Sequence, residues 1–166
     1  MTDLMIPDLD GLAAELGRRL QAHADRLVTA ESCTGGWIAK CMTDVAGSSA
    51  WFERGFVTYS NEAKQDMLGV GAETLARHGA VSEPVVREMA VGALAQSRAT
   101  LAVAVSGIAG PGGGTPSKPV GRVCIGWART GRIASDTYLF AGDRDQVRRQ
   151  SVVHALRVLI ADWAAG

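Results

Sequence analysis

The sequence lacks the features that mark several large classes of protein. Its three cysteines (Cys33, Cys41 and Cys124) are an odd number with no CxxC spacing, which is typical of reduced thiols rather than of a disulfide framework. The three histidines lie far apart along the chain, and no HxxxH spacing occurs. No apolar run approaches the length of a membrane span. We therefore predict a chain that needs no metal or other cofactor and that has no membrane partner.

A surplus of charge of either sign is also missing. The chain has 17 basic and 17 acidic residues and a formal net charge of zero, whereas a nucleic-acid partner normally requires a basic surplus. The N-terminal ten residues, MTDLMIPDLD, are acidic and therefore unlike a secretory signal. These features predict a cytoplasmic protein that does not bind nucleic acid.

The composition that remains is that of an ordinary globular protein. Hydrophobic residues make up 47% of the 166 residues and charged residues 20%, enough for one domain with a sizeable core and too few residues for two. Strands alternate with helices along the chain, and a late hairpin follows them. The sequence predicts a single α/β domain over residues 1–166, with its core at about 12–163. We expect a three-layer α/β/α sandwich with a mixed sheet.

Hydrophobic periodicity and capping residues predict the individual elements. Helices are expected over Leu9–His23, from Trp37 to a cap at Gly47, over Asn61–Leu68, over Ala72–His78, from Ser82 as N-cap, and from an Asp143/Gln146 capping box to about Trp163. Strands are expected over Arg26–Ala30, Gly55–Ser60 and Leu101–Gly107, and a hairpin on either side of the turn RTGR.

The first segment that could carry chemistry is ESCTGG, residues 31–36, which joins a strand to a helix. Its two glycines allow a ligand to approach the backbone, and free N–H groups at that point suit an anion or an oxyanion. Ser32 is a candidate nucleophile, although serine and threonine at such a position more often cap the helix. The glycine-flanked pattern of a nucleophile elbow is absent.

The second segment is TYSNEAK, residues 58–64, which also passes from a strand into a helix. Lys64 is a candidate base only if burial lowers its pKa, because an ammonium group cannot accept a proton. A solvated surface lysine is the more common case. Ser60 lies four residues before Lys64 and is a rival nucleophile, but its position also suits a helix cap.

Two further segments could hold an anion. The glycine-rich run after Ser106 can wrap a phosphate with backbone donors, yet it matches neither the Walker nor the GxGxxG pattern and could equally be a surface turn. Arg144 and Arg148 lie in the first turns of the last helix, where they could grip a phosphate or form part of a solvated face.

Taken together and in order, these segments resemble a known family. Long blocks of the chain, residues 29–64, 78–90, 105–121 and 140–150, closely resemble the CinA C-terminal domain family, and the resemblance extends from about Leu12 to Trp163. It implies a three-layer α/β fold. The free-standing members of this family are nicotinamide-nucleotide amidases. The resemblance therefore also implies hydrolysis of the carboxamide of nicotinamide mononucleotide to nicotinate mononucleotide and ammonia.

The resemblance also implies which residues act. The family is described as serine amidohydrolases with a Ser/Lys pair, and the matching positions here are Ser32 and Lys64. Around this pair we predict that Tyr59 orients Lys64 or donates to the intermediate. We further predict that substrate is bound by the ESCTGG residues, the glycine-rich loop and the two arginines: Glu31, Thr34, Gly35, Gly36, Ser106, Gly107, Gly110, Arg144 and Arg148.

Other functions stay open at the level of sequence. A non-catalytic nucleotide-binding module, linked to competence or DNA damage, would need neither Ser32 nor Lys64. A dinucleotide oxidoreductase is set aside because the GxGxxG fingerprint is missing. A homodimer is a reasonable expectation for the fold.

Overall fold

The computed structural model of the chain describes residues 8–163. Within that range the chain forms six helices and five strands. The helices are α1 (Leu9–Ala22), α2 (Trp37–Thr43), α3 (Asn61–Leu68), α4 (Ala72–His78), α5 (Glu83–Ala95) and α6 (Arg144–Asp162). The strands are β1 (Leu27–Glu31), β2 (Phe52–Val57), β3 (Leu101–Gly107), β4 (Arg122–Arg129) and β5 (Arg132–Leu139).

The five strands form one mixed sheet in the order β2-β1-β3-β4-β5. The first three run parallel to one another, and β4 and β5 continue the sheet antiparallel as a hairpin. Both β1 and β3 are buried along almost their whole length, as expected for apolar strands covered on both faces. The predicted mixed sheet is confirmed.

Helices cover both faces of this sheet, which confirms the predicted three-layer sandwich. On one face α1, α2 and α6 pack against side chains that include Leu27, Val103 and Ile125. On the other face α3, α4 and α5 pack against Ala30, Ala104 and their neighbours. The adjacent strands β1 and β2 are followed by helices on opposite faces of the sheet, α2 after β1 and α3 after β2. In open α/β sheets, a crevice forms between two strands related in this way.

Several predicted elements have the expected bounds to within one residue, and two are displaced by more than that. The bounds of α3, α4 and β3 are confirmed, and so is the capping box of Asp143 and Gln146 at the start of α6. The second strand lies earlier than predicted, because residues after Val57 leave the sheet to begin α3. Helix α2 ends at Thr43, and Gly47, with φ +82°, instead precedes a short 3-10 turn.

None of the helices within residues 8–163 combines the length and apolarity needed to cross a lipid bilayer. The N-terminal segment used in the argument against a secretory signal lies mostly outside the described residues.

Candidate active site

Three loops meet at one edge of the sheet because β1, β2 and β3 are parallel and their carboxyl ends lie together. Backbone hydrogen bonds extend the pairing beyond the strands: the N–H of Ser32 donates to the carbonyl of Val105 at 3.0 Å, and the N–H of Thr58 donates to the backbone carbonyl of Glu31 at 2.9 Å. The ESCTGG and TYSNEAK segments and the start of the glycine-rich loop are therefore neighbours in space.

Ser32 and Lys64 are in contact at this edge. Lys64 Nζ lies 3.0 Å from Ser32 Oγ, although 32 residues separate them in sequence. Ser32 follows β1 directly, and Lys64 lies one turn into α3. The start of α3 is fixed by Ser60, because its Oγ accepts a hydrogen bond from the N–H of Ala63. Lys64 is only 1% exposed and Ser32 8% exposed. A hydroxyl in contact with a buried amine is an arrangement that suits a nucleophile and its base.

The surroundings of Lys64 favour its neutral form. Burial lowers the pKa of Lys64 from its ordinary value, because removing the ammonium group from water disfavours the charged state. A neutral amine has two N–H groups and one lone pair. One N–H donates to the carbonyl of Thr58 at 2.7 Å, and the second N–H and the lone pair remain. In the structure Nζ lies within donor distance of Ser32 Oγ, and the lone pair of the neutral amine is the group able to accept the serine proton. The sequence could not predict that the Thr58 carbonyl binds Lys64, because every residue type has a backbone carbonyl.

A pocket of about 210 Å³ opens in front of the pair. It is lined by residues from each of the three loops, from the α4–α5 connection and from the start of α6: Ser32, Cys33, Tyr59, Asn61, Lys64, Ala80, Val81, Ser106, Gly107, Ala109 and Arg144. Sequence reasoning did not select Cys33, Asn61, Ala80, Val81 or Ala109. Because the pocket holds a hydroxyl, an amine and a guanidinium together, it suits a polar, anionic ligand.

Cys33 is the neighbouring group that could compete with Ser32 as a nucleophile. Burial raises the pKa of the Cys33 thiol to about 11, so that little thiolate exists near neutral pH. The geometry therefore favours the hydroxyl of Ser32, which has a base in contact, over this thiol.

Tyr59 lines the pocket but does not hold Lys64 in the way predicted. Its side chain is 65% exposed, and its hydroxyl accepts a hydrogen bond from Arg144 Nη2 at 3.3 Å. The group that orients Lys64 is the carbonyl of the preceding residue, Thr58. Tyr59 thus belongs to the mouth of the pocket, beside Arg144.

Glu31 is not a substrate ligand, and this prediction was wrong. The side chain is buried, and its carboxylate accepts hydrogen bonds from the N–H groups of Ile38 at 2.8 Å and Ala39 at 3.1 Å. Burial raises the pKa of Glu31, and these backbone donors oppose that rise. Because the carboxylate satisfies amides at the start of α2, its function is to fix that helix against β1.

The rest of the ESCTGG segment forms a tight turn behind the nucleophile. Thr34 is fully buried, and neither it nor Gly35 nor Gly36 lines the pocket, contrary to their predicted contact with substrate. The N–H of Gly35 donates to the carbonyl of Ser32 at 3.0 Å and so cannot serve a ligand. Gly35 and Gly36 have φ of +58° and +102°, values that favour glycine, and they turn the chain into α2.

The glycine-rich loop contributes its first residues to the pocket. Ser106, which is 2% exposed, and Gly107 line the pocket, at the end of β3. Gly110 is not a lining residue; its carbonyl accepts a hydrogen bond from Arg144 Nη1 at 2.8 Å. Gly110 therefore holds the arginine that lines the pocket, rather than holding the ligand itself.

The two predicted arginines have different positions. Arg144 lines the pocket. Arg148 lies outside it, where Nε donates to the carbonyl of Cys33 at 3.0 Å and Nη2 donates to that of Thr34 at 3.3 Å. Its guanidinium also lies over the ring of Trp37, 5.4 Å from the centroid. The prediction that Arg148 binds substrate was therefore wrong, because its donors are taken up by the backbone of the nucleophile turn.

Within residues 8–163, no three or more His, Cys, Asp and Glu side chains cluster in a way that could hold a metal ion. The chemical groups that the pocket offers are those of Ser32, Lys64 and the polar residues around them.

A family model agrees with this geometry. Residues 9–162 match the model described as the CinA C-terminal domain. The chain belongs to the CinA C-terminal domain family. The resemblance stated from the sequence is thereby confirmed over nearly the whole chain, including every loop that lines the pocket.

Three relatives within the CinA family are similar over nearly their whole length. The chain is 58% identical over 160 residues to the nicotinamide-nucleotide amidohydrolase PncC of Escherichia coli strain K12, covering 96% of this chain and 95% of that protein. Two solved structures are also close. The competence/damage inducible protein CihA from Agrobacterium tumefaciens has a TM-score of 0.90 and 49% identity, with 92% and 94% of the two chains covered. The CinA superfamily protein KP700603 from Klebsiella pneumoniae has a TM-score of 0.93 and 42% identity, with 96% and 99% covered.

Proposed function

We propose that this chain hydrolyses the carboxamide of nicotinamide mononucleotide, giving nicotinate mononucleotide and ammonia. The observation that carries the proposal is the contact between Ser32 Oγ and a buried Lys64 Nζ in a pocket of the right chemistry. The printed name of the relative with 58% identity supports the choice of substrate.

The first half of the reaction forms a covalent ester. Lys64 Nζ takes the proton of Ser32 while Oγ attacks the carboxamide carbon, and the carbonyl oxygen becomes an oxyanion. The proton on Lys64 then passes to the amide nitrogen. The C–N bond breaks, ammonia leaves, and a nicotinoyl ester remains on Ser32.

The second half consumes water. Neutral Lys64 removes a proton from a water molecule, whose oxygen attacks the ester carbon. The C–O bond to Ser32 breaks and Oγ regains its proton from Lys64. The product carboxyl group loses its proton to the released ammonia or to solvent, and nicotinate mononucleotide leaves as a carboxylate. Atoms balance with one water consumed and one ammonia released, and no oxidant or reductant takes part.

The remainder of the pocket fits the rest of the nucleotide. Arg144, held by the carbonyl of Gly110 and by Tyr59, offers unused N–H groups of its guanidinium to a phosphate. Ser106 and Asn61 add further polar side chains to the lining of the pocket. A cytoplasmic location and a homodimer stay predictions from the sequence.

The direct test is to incubate the purified chain with nicotinamide mononucleotide and to measure ammonia and nicotinate mononucleotide. We expect both products in equal amounts, and we expect none from Ser32→Ala. A wild-type chain that binds the nucleotide but releases no ammonia would contradict the proposal and favour the non-catalytic sensor.

A further inference from the structure

Ser106, near the end of β3, lies directly beside Ser32. Strands β1 and β3 are parallel, and their register pairs Glu31 with Val105. The N–H of Ser32 donates to the carbonyl of Val105 at 3.0 Å, which continues this register by one residue and pairs Ser32 with Ser106. Because neighbouring strands are about 4.8 Å apart, the two serines are immediate neighbours across the sheet.

The side chains of both serines point to the side of the sheet that α3 covers. Successive residues of a strand point to opposite faces. Ala104 packs on the face covered by α3, α4 and α5, and Val105 packs on the other face, so Ser106 points to the same side as Ala104. Ser32 points to that side as well, since its Oγ contacts Lys64 of α3. Both hydroxyl groups therefore lie on the side of the sheet that holds Lys64 and the pocket.

The hydroxyl of Ser106 has no partner within residues 8–163, although the residue is buried. Of the four buried serines in this range, Ser82 and Ser151 each donate to a backbone carbonyl at 2.8 Å, and Ser32 contacts Lys64. Ser106 is 2% exposed and lines the pocket, and its Oγ is not among the side-chain atoms that the protein seals off without a partner. Because buried hydroxyl groups are normally hydrogen-bonded, this one is available to a bound molecule.

The position of Lys64 determines which substrate atom Ser106 meets. Strand β1 lies between β2 and β3. Lys64 Nζ is held by the carbonyl of Thr58, just after β2, so the amine approaches Ser32 from the β2 side, and Ser106 lies on the β3 side. In the proposed reaction the amide nitrogen faces Lys64, which protonates it, and the pyridine ring extends toward Arg144. The carbonyl oxygen, the remaining substituent of the carboxamide carbon, therefore falls on the side of Ser106.

We propose that Ser106 is a third catalytic residue, whose hydroxyl donates a hydrogen bond to the oxyanion that forms when the neighbouring Ser32 attacks the carboxamide. This rests on the proposed function, because the oxyanion belongs to that substrate. A fixed donor aimed at developing negative charge in a buried site stabilises the transition state more than the ground state. The proton stays on Ser106 throughout, and Lys64 carries out every proton transfer.

The first experiment compares Ser106→Ala with Ser151→Ala, a control that removes the same hydroxyl from an equally buried position of α6 outside the pocket. Loss of one oxyanion donor should lower kcat by roughly 100- to 1,000-fold and change KM little. The loss should be equal for nicotinamide mononucleotide and nicotinamide riboside, because the oxyanion is remote from the phosphate. The control should keep the kcat of the wild type. A wild-type kcat in Ser106→Ala, or a loss confined to KM, would overturn the proposal.

Stability separates a hydrogen-bond donor from a residue that merely fills space. Ser106→Ala deletes a buried hydroxyl that has no protein partner, so its denaturant midpoint should equal or exceed that of the wild type while activity falls. Ser106→Cys fills similar space but offers only a weak S–H donor, so its kcat should also be low. A packing role predicts the reverse, a destabilised Ser106→Ala and a nearly normal kcat in Ser106→Cys. If Ser106→Ala does not fold, the kcat of Ser106→Cys decides by the same criterion.

A second substrate separates the oxyanion from the leaving group. The methyl ester of nicotinate mononucleotide forms the same oxyanion but releases methanol in place of ammonia. Ser106→Ala should therefore lose kcat/KM by the same factor on the ester and on the amide. A loss seen only with the amide would assign Ser106 to protonation of the leaving nitrogen and refute the proposal. Absence of ammonia from the wild type would refute the proposed function instead, and that result is read before any variant.

Discussion

Lys64 is an ionisable residue whose side chain is buried, where a charged group is unfavourable. An ammonium group that is 1% exposed and has no carboxylate in contact within the described residues is costly, so burial moves its equilibrium toward the neutral amine. In the proposed mechanism this cost has a use, since only the neutral amine can take the proton of Ser32. The feature that destabilises the fold is the one that the proposed reaction requires.

At this scale the dyad predicts a non-additive loss of activity. Ser32→Ala and Lys64→Ala should each reduce kcat by roughly three orders of magnitude or more, since each removes half of one proton-transfer unit. The double variant should be little worse than either single one. Steady-state assays of ammonia release check this, and losses that multiply in the double variant would show that the two residues act independently.

The lowered pKa of Lys64 predicts a specific dependence of stability on pH. Between that lowered pKa and the ordinary lysine value of 10.5, the unfolded chain binds more protons than the folded chain. The free energy of unfolding should therefore rise with pH across this window, relative to Lys64→Met, which lacks the titrating group. Denaturant titrations of both proteins from pH 7 to pH 10.5 measure the difference, and parallel profiles would mean that the pKa of Lys64 is not lowered.

Arg144 should distinguish the nucleotide from the nucleoside. A charge-assisted contact to phosphate contributes roughly 1.5–3 kcal/mol, so Arg144→Ala should raise KM for the mononucleotide by about 10- to 100-fold. KM for the riboside, which lacks the phosphate, should change far less. Initial rates on both substrates test this, and equal effects on the two would show that Arg144 does not contact the phosphate.

At the scale of elements, caps place the reacting groups. The Ser60 hydroxyl accepts from the N–H of Ala63 and so starts α3 where Lys64 faces inward. On the other side of the pocket, the Glu31 carboxylate fixes the start of α2 behind Ser32. Both helices are short, and each is positioned by a polar side chain at or shortly after the end of a strand: Glu31 ends β1, and Ser60 follows the end of β2 at Val57.

Ser60 should therefore matter for stability and not for chemistry. Ser60→Ala removes one N-cap, which should lower the free energy of unfolding by about 1 kcal/mol. Its kcat should stay close to that of the wild type, because Ser32 is the hydroxyl in contact with Lys64. A covalent acyl group found by peptide mass mapping on Ser60 or Cys33, rather than on Ser32, would refute this assignment.

At the scale of the whole molecule, the site exists only because distant segments converge. Loops after β1, β2 and β3, the α4–α5 connection and the first turn of α6 all line one pocket. Open α/β sheets bind ligands between two strands that are followed by helices on opposite faces of the sheet. The proposed nucleophile and base, Ser32 and Lys64, come from two of these segments.

The assembled site should consequently need no metal. Because the proposed mechanism activates Ser32 through Lys64 alone, exhaustive treatment with a chelator followed by gel filtration should leave kcat unchanged. Metal content and ammonia release are measured on the same sample. Activity that is lost with the metal and restored by adding zinc would contradict the dyad mechanism.

The sequence by itself determined the architecture and the boundaries set by local rules. The apolar run of β3, the periodicity of α3 and α4, and the Asp143/Gln146 capping box are patterns of near neighbours, so they are legible without a fold. The resemblance to the CinA C-terminal family also selected Ser32 and Lys64. Without that resemblance, the sequence favours a helix cap for Ser32 and a solvated surface charge for Lys64.

Only the tertiary structure decided what the polar residues do. The burial that makes Lys64 a base depends on atoms from several elements, and its partner is a backbone carbonyl that no residue type announces. Glu31 was predicted to bind substrate, but its carboxylate accepts hydrogen bonds from backbone amides of α2. Arg144 and Arg148 are one turn apart on one helix, yet the first reaches the pocket and the second the turn behind it. Periodicity assigns a residue to a face, whereas desolvation and hydrogen-bond partners depend on what the fold brings against that face.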